Sequence, residues 1–191
     1  RSSLLPKGPG VVGGAGGSLR AGVVENPVML TRSVQGLNTY VTVGGAPVPD
    51  EAEVPELAGY AGSKPVRVGN GARDQVQRDT AGALINAAHL YEQASGSLTL
   101  RVWRHMREIA DHVRRTWQDP DHGMWEPRTG MRHNVHSKLM SWLALDRASK
   151  MATLFGDTSS AHLWSSTAEL IREDICEHGL DPSKKHFVAS Y

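Results

Sequence analysis

The chain has 191 residues, of which 21 are Lys or Arg and 20 are Asp or Glu, so its formal net charge is +1. This balance argues against a nucleic-acid-binding protein, which needs basic side chains clustered on one face. No apolar run approaches the roughly 18–20 residues that a membrane span requires, and the single cysteine, Cys176, excludes an internal disulfide framework. The lone cysteine and the lack of a signal-peptide pattern favour a cytoplasmic location.

Residues 1–36 are rich in Gly, Val and Ser and keep neither a helical nor a strand period. We therefore predict a flexible Gly-rich segment over residues 1–36 and a folded domain over residues 37–191. Within that domain, the alternating run at residues 39–43 predicts a short strand. An acidic, Pro-punctuated loop follows it.

Four amphipathic helices are predicted after this loop, over about residues 72–94, 97–118, 136–155 and 157–179. Asn70 is a candidate cap of the first helix, Ser97 opens the second, Pro120 stops it, and Asp157 or Ser159 opens the fourth. The predicted buried faces are Val102, Met106, Ile109, Val113 and Trp117 in the second helix, Met140, Leu143, Arg147, Met151 and Leu154 in the third, and Trp164, Ala168, Ile171 and Ile175 in the fourth.

Each helix is apolar on more than one side, which predicts neighbours in front and behind. A small four-helix bundle would account for one buried face per helix. A ring of helical hairpins stacked pairwise explains the broader apolar surface better, although no repeat of fixed period is present. The fold class predicted from the sequence is therefore all-α.

The loop at residues 119–135 carries a carboxylic acid, Glu126, directly after a large aromatic residue, Trp125. An apolar neighbour raises the pKa of a carboxyl group, and a raised pKa lets the acid keep its proton near neutral pH. This is how a protein would place a general acid beside a sugar ring. The alternative is a solvated Glu that follows a Trp of the core.

Three blocks of the chain resemble the bacterial branch of glycoside hydrolase family 15, which holds glucoamylases, glucodextranases and some trehalases. They are residues 57–72 (LAGYAGSKPVRVGNGA) with 75–79 (QVQRD), residues 123–128 (GMWEPR) and residues 136–148 (HSKLMSWLALDRA). The resemblance implies part of a six-hairpin (α/α) toroid, with sugar bound where the loops gather. It also implies hydrolysis of an α-glucosidic bond in a short α-glucan or trehalose, with inversion at the anomeric carbon and without a cofactor.

By this resemblance, Glu126 is the general acid that protonates the departing glycosidic oxygen. An inverting mechanism also needs a second carboxylate as base, about 6.5–9.5 Å away, so that a water molecule fits between the two. In the family that base lies on a late hairpin, beyond residue 191. Asp119 and Asp121 lie on the same loop as the acid, so neither is assigned as the base.

The resemblance implies further sugar-facing residues, which are Arg67, Asn70, Gln77, Asp79, Trp125, Arg128, His133 and Lys138. Arg and Asn side chains donate directed hydrogen bonds to ring hydroxyls and so select one stereochemistry. Three of these residues have a plain structural alternative. Arg67 could form a surface ion pair, Asn70 could only cap a helix, and Trp125 could fill the core instead of stacking on a pyranose.

Lys138, Asp146 and Arg147 also fit a buried charge network that supports the loop. His133 and His136 are three residues apart, a spacing found in metal sites, but no Cys or carboxylate partner lies at a fitting spacing. No metal site is therefore predicted.

The chain departs from the family pattern at several positions. Arg78 stands where the family usually has an apolar residue, often Leu, and Ala81 stands where it has an aromatic one. Asn134 and Val135 replace a common Phe-Thr pair. These differences indicate either a divergent pocket or an eroded function.

Two functional hypotheses follow, an α-glucosidase-type hydrolase and a truncated non-catalytic homologue that at most binds sugar or another chain. A general helical interaction domain without sugar chemistry is a third. Half a ring would leave the terminal helices with bare apolar flanks, which predicts that the isolated chain is marginally stable, self-associates or is molten.

Overall fold

The computed structural model describes residues 47–125 and 130–191, so the predicted strand at 39–43 and the Gly-rich segment 1–36 lie outside the described residues. Four helices dominate these ranges, namely α1 (Asp79–Ser95), α2 (Leu100–Thr116), α3 (Val135–Leu154) and α4 (Thr158–His178). An antiparallel pair of two-residue strands, β1 (Ala52–Glu53) and β2 (Arg67–Val68), was not predicted. The all-α fold class is confirmed, and no helix in the described ranges is both long and apolar enough to cross a membrane.

The helices form two consecutive hairpins, the unit from which an (α/α) toroid is built. Residues 96–99 join α1 to α2 and residues 155–157 join α3 to α4, whereas the longer connection at 117–134 separates the hairpins. The starts of α1 and α3 and the ends of α2 and α4 therefore lie at one end of the domain. We call it the loop end, and it comprises the described residues of 76–79, 117–138 and 179–191.

Helix α1 begins at Asp79 because the preceding backbone is bonded to another segment. Val76 N–H donates to Nδ1 of His122 over 3.1 Å, and His122 N–H donates to the Val76 carbonyl over 2.9 Å. Arg78 N–H donates to the carboxylate of Asp121 over 3.0 Å. These bonds use main-chain groups that a helix would need for itself, so the predicted start near residue 72 is wrong.

Helices α2 and α4 each bury one face, as the apolar periodicity predicted. Trp117 follows the last turn of α2 and is half-buried. The buried residues are Val102, Trp103, Met106, Ile109, Ala110 and Val113 in α2, and Trp164, Thr167, Ala168, Ile171 and Ile175 in α4.

Side chains cap the starts of both helices. Thr99 caps α2, because its Oγ1 accepts the N–H of Val102 over 3.3 Å, so the prediction that Ser97 opens this helix is wrong. Asp157 caps α4 by accepting the N–H of Ser160 over 3.1 Å, in agreement with one of the two predicted starts.

Helix α3 packs against all three other helices. The face predicted for it is right only in part, since Met151 is fully buried but Leu154 is 66% exposed. The buried residues are mostly small and lie on two sides of the helix: Val135, Ser137, Lys138, Ser141, Ala144, Leu145, Ala148, Met151 and Ala152. Small side chains let neighbours approach closely, and a Cβ added to Gly82 of α1 would lie 2.3 Å from the Met140 carbonyl oxygen.

The buried carboxylate of Asp121 joins three segments at the loop end. Its Oδ2 accepts the N–H of Arg78 over 3.0 Å and the hydroxyl of Ser137 over 2.7 Å, and its Oδ1 accepts the side-chain amide of Asn134 over 2.8 Å. Its main chain also exchanges hydrogen bonds with Arg132 at 2.9 and 2.8 Å. Asp121 thereby sets the position of the inter-hairpin connection against the starts of α1 and α3.

Replacement of Gly82 by Ala tests the close packing of α1 on α3. An Ala inside a helix ordinarily stabilises by up to about 1 kcal/mol over Gly. Here the Cβ would overlap the main chain of Met140, so we expect the free energy of unfolding to fall by about 1–3 kcal/mol in urea titrations. Gly130→Ala is the control, since, apart from its chain neighbours, no atom of the described residues lies within 4 Å of its added Cβ. An unchanged or raised stability of Gly82→Ala would contradict the packing.

Asp121→Ala would leave the donors of Arg78, Ser137 and Asn134 without their acceptor. Buried donors that lose a charged partner are costly, so we expect the free energy of unfolding to fall by about 2–5 kcal/mol. The control is Asp50→Ala, which removes an exposed ion pair with Arg73 and should cost about 1 kcal/mol or less. Equal losses in the two variants, measured by urea unfolding, would show that the Asp121 junction is not cooperative.

The imidazole of His89 on α1 predicts a pH dependence of stability. His89 is 5% exposed, and burial, together with the charges of Arg147 and Lys150, lowers its pKa, while Asp146 opposes the shift. As pH falls below the ordinary value of about 6.5, the unfolded chain binds a proton that the folded chain does not, so the folded state loses stability. We expect Tm to drop less from about pH 7 to about pH 5 in His89→Gln than in the parent chain. Equal drops would argue against this role of His89.

Candidate functional site

The predicted general acid, Glu126, and its neighbour Arg128 lie outside the described residues. The chain on either side is described, as residues 119–125 and 130–134. The hydrogen bonds of Asp121 with Arg132 hold these two arms of the loop side by side. Between them, Gly123 adopts a positive φ of 73°, and a Cβ there would lie 3.2 Å from the side-chain amide of Asn134. The two arms that flank Glu126 in the sequence are therefore held together by contacts of Asp121 and Gly123 with Arg132 and Asn134.

Trp125 stands at the tip of the first arm and is 82% exposed. Its alternative interpretation as a core residue is wrong. An exposed indole in a loop presents an apolar face to which a sugar ring can stack. The sugar-stacking role of Trp125 stays a prediction, as does its contact with Glu126.

Gln77 and Asp79, two predicted sugar-facing residues, lie at the start of α1. Gln77 is 6% exposed, and its Nε2 has no hydrogen-bond partner within the described residues. The Oδ1 of Asp79 is likewise buried and without such a partner. Buried polar atoms are normally paired, so an amide donor and a carboxylate acceptor are available here for an additional group such as a hydroxyl.

A third such atom lies on α3 and was not predicted from the sequence. The Nδ1 of His136 is buried and has no partner within the described residues. Asp121 binds both Arg78 and Ser137, which are the chain neighbours of Asp79 and His136. The unpaired carboxylate and imidazole atoms therefore belong to adjacent helix starts at the loop end.

The side chains of Arg67 and Asn70 bind groups outside the loop end. Arg67 lies in β2 and forms ion pairs with Glu53 at 3.1 Å and Glu51 at 3.4 Å, as its alternative interpretation expected. The side chain of Asn70 accepts the N–H of Ala72 over 2.8 Å, so it closes a turn and does not cap α1. A cleft of about 420 Å³ beside Arg67 is lined by residues 53–67 alone, not by the loop end.

Lys138 is 3% exposed, and its ammonium group contacts Trp117 at the end of α2. Its Nζ donates to the Trp117 carbonyl over 2.6 Å and lies 5.3 Å from the centre of the indole ring. Burial lowers the pKa of Lys138, and the carboxylates of Asp174 and Asp121 oppose the shift. Lys138 thus joins α3 to the inter-hairpin connection, which fits the supporting role considered for it. Further along α3, Arg147 donates to Asp146 and to Asn86 of α1.

The ring of His133 stacks on Tyr191, with 5.6 Å between ring centres, and Tyr191 stacks in turn on His178 at 5.3 Å. The hydroxyl of Tyr191 donates to Asp174, and burial together with this carboxylate raises the pKa of Tyr191. Residues 179–191 also bond to the second arm of the loop, since Tyr191 N–H donates to the His133 carbonyl over 3.1 Å, and no sequence pattern predicted this contact. Within the described ranges, no three His, Cys, Asp or Glu side chains gather as a metal site would require.

Comparisons with known proteins place the chain in a family. The family model described as glycosyl hydrolases family 15 matches residues 26–191, so the match begins before the domain boundary predicted at residue 37. No solved structure matches the chain.

Several relatives are trehalases. The Mycobacterium tuberculosis trehalase is 37% identical over 155 residues, which cover 81% of this chain and 23% of that protein. Trehalase 2 of Sulfolobus acidocaldarius is 39% identical over 155 residues (80% and 27%), and the Thermoplasma acidophilum trehalase is 38% identical over 136 residues (71% and 23%). This chain spans about a quarter of the length of these relatives. Since the family model covers most of the chain, the chain belongs to glycosyl hydrolase family 15.

Proposed function

We propose that the chain carries the general-acid side of an inverting glycosidase site whose substrate is trehalose. The observation that supports it best is the juxtaposition at the loop end. An exposed Trp125 directly precedes Glu126, and the same end holds the unpaired polar atoms of Gln77 and Asp79. The names of the relatives favour trehalose over an α-glucan as the substrate.

In the proposed reaction, Glu126 donates its proton to the glycosidic oxygen as the bond from that oxygen to the anomeric carbon breaks. A water molecule attacks the anomeric carbon from the opposite face and gives up a proton to a carboxylate base. The products of trehalose are then one β-glucose and one α-glucose. No residue of this chain is assigned as the base, and the chemistry needs no cofactor.

The other proposed contacts follow from their hydrogen-bonding groups. The amide of Gln77 would donate to a ring hydroxyl and the carboxylate of Asp79 would accept from one. Stacking on Trp125 would orient the pyranose, and Arg128 would add a donor from the same loop. The predicted cytoplasmic location and self-association stay predictions.

Glucose release from trehalose requires a carboxylate base in addition to Glu126. Where release is observed, we expect Glu126→Gln to slow it by about 10²–10⁴-fold, because Gln cannot donate the proton. The measurement is glucose release from trehalose and, in parallel, from maltotriose. Proton NMR of the fresh product distinguishes inversion, which gives both anomers from trehalose, from retention, which gives only the α-anomer. Glu169→Gln is the control, because Glu169 is exposed on α4 and pairs with Arg172 of the same helix.

The outcomes separate the hypotheses. Release from maltotriose alone would contradict trehalose as the substrate. Release that Glu126→Gln leaves unchanged would contradict the assignment of the acid. If neither sugar is cleaved, hydrolysis by this chain is overturned in favour of the non-catalytic homologue, for which trehalose binding weakened by Gln77→Ala is the signature.

A further inference from the structure

We infer that Arg78 is a positioning residue that holds the acid-bearing loop through Asp119, and not a residue that contacts the sugar. The inference rests on the proposed function, since the loop matters for catalysis only if Glu126 is the acid. It concerns the position at which this chain departs from the apolar residue usual in the family.

Arg78 contacts three consecutive residues of the loop. Its Nη2 lies 2.9 Å from Oδ2 of Asp119, and its Nε lies 3.5 Å from the carbonyl oxygen of Pro120. Its main-chain N–H donates to the carboxylate of Asp121 over 3.0 Å. One residue at the start of α1 thus binds the loop at each position from 119 to 121.

The guanidinium of Arg78 is already committed to these partners. Its side chain is 16% exposed, whereas that of Asp119 is 54% exposed. A planar guanidinium can serve a carboxylate and a carbonyl at once because its N–H groups are fixed in direction. To contact a sugar, the guanidinium would have to break its bond to Asp119 or to Pro120. The observed contacts therefore favour a role in holding the loop.

The pair also compensates for a sequence departure. A Leu at position 78 could keep only the main-chain bond to Asp121, which any residue except Pro can make. The side-chain links to Asp119 and Pro120 exist only because position 78 is Arg. We therefore interpret Arg78 as a link between the start of α1 and the loop and not as a sign of eroded function.

The charge of Arg78 also affects the pKa of His112 on α2. Burial lowers the pKa of His112, and the charges of Arg78 and Arg115 add to the effect, while Asp119 opposes it. An NMR titration of His112 therefore reports on the placement of the Arg78–Asp119 pair. The charges of this pair shift the pKa of His112 whether or not the chain catalyses a reaction.

The test compares Arg78→Leu, Asp119→Asn, the double variant and Arg78→Lys with the parent chain, using amide hydrogen exchange at residues 119–125 and 130–134. We expect exchange there to rise about tenfold in Arg78→Leu and in Asp119→Asn, with no further rise in the double variant, while α2 and α4 stay unchanged. Arg78→Lys should restore part of the protection because it keeps the charge. The apparent pKa of His112, followed by NMR titration, should rise in Arg78→Leu.

Arg172→Leu is the matched control, since it breaks an exposed Arg–carboxylate pair on α4. It should leave loop exchange and the His112 titration unchanged. Where glucose is released, a positioning role predicts that Arg78→Leu lowers kcat with little change in KM, whereas a sugar contact would raise KM.

Unchanged loop exchange in Arg78→Leu, or a raised KM with unchanged kcat, would overturn the inference. If Arg78→Leu unfolds the chain, the milder Asp119→Asn decides, and normal loop protection in that variant counts against the link. If the parent chain cleaves no sugar, the proposed function fails while the exchange data still decide the role of Arg78.

Discussion

The arrangement of the loop end depends on the hydrogen bonds that the buried carboxylate of Asp121 accepts. A buried charge is compatible with a folded protein only when its oxygens are hydrogen-bonded. Here the donors come from the residue before α1, from the connection at Asn134 and from Ser137 on α3. The need to pair one buried carboxylate thus joins the segment before α1, which holds Gln77 and Asp79, to the inter-hairpin connection and the start of α3.

The sequence predicted the helices well where each touches the core on one side. The periodicities of α2 and α4 were right because each of these helices buries one stripe that consists mostly of large apolar side chains. The same rule failed for helix α3, since α3 buries Ser and Ala residues that carry little apolar signal. The start of α1 was missed because His122 and Asp121, more than 40 residues away, capture its first main-chain groups.

For the candidate site, too, the sequence predicted some residues and missed others. Family resemblance was sufficient to point to Gln77 and Asp79, whose unpaired buried atoms fit a binding role. It could not separate them from Arg67, because only the folded hairpin brings Glu51 and Glu53 to that guanidinium. Tyr191 had no motif around it, and its stacking on His133 depends on a return of the chain that local patterns do not encode.

Much of the loop end is held by main-chain groups. Val76 contributes its N–H and carbonyl to His122, and Arg132 contributes the same two groups to Asp121. Such bonds are indifferent to which side chain the residue bears. Evolution can therefore exchange the side chains at these two positions while the frame of the loop end keeps its shape, which lets the surface of the loop change without refolding.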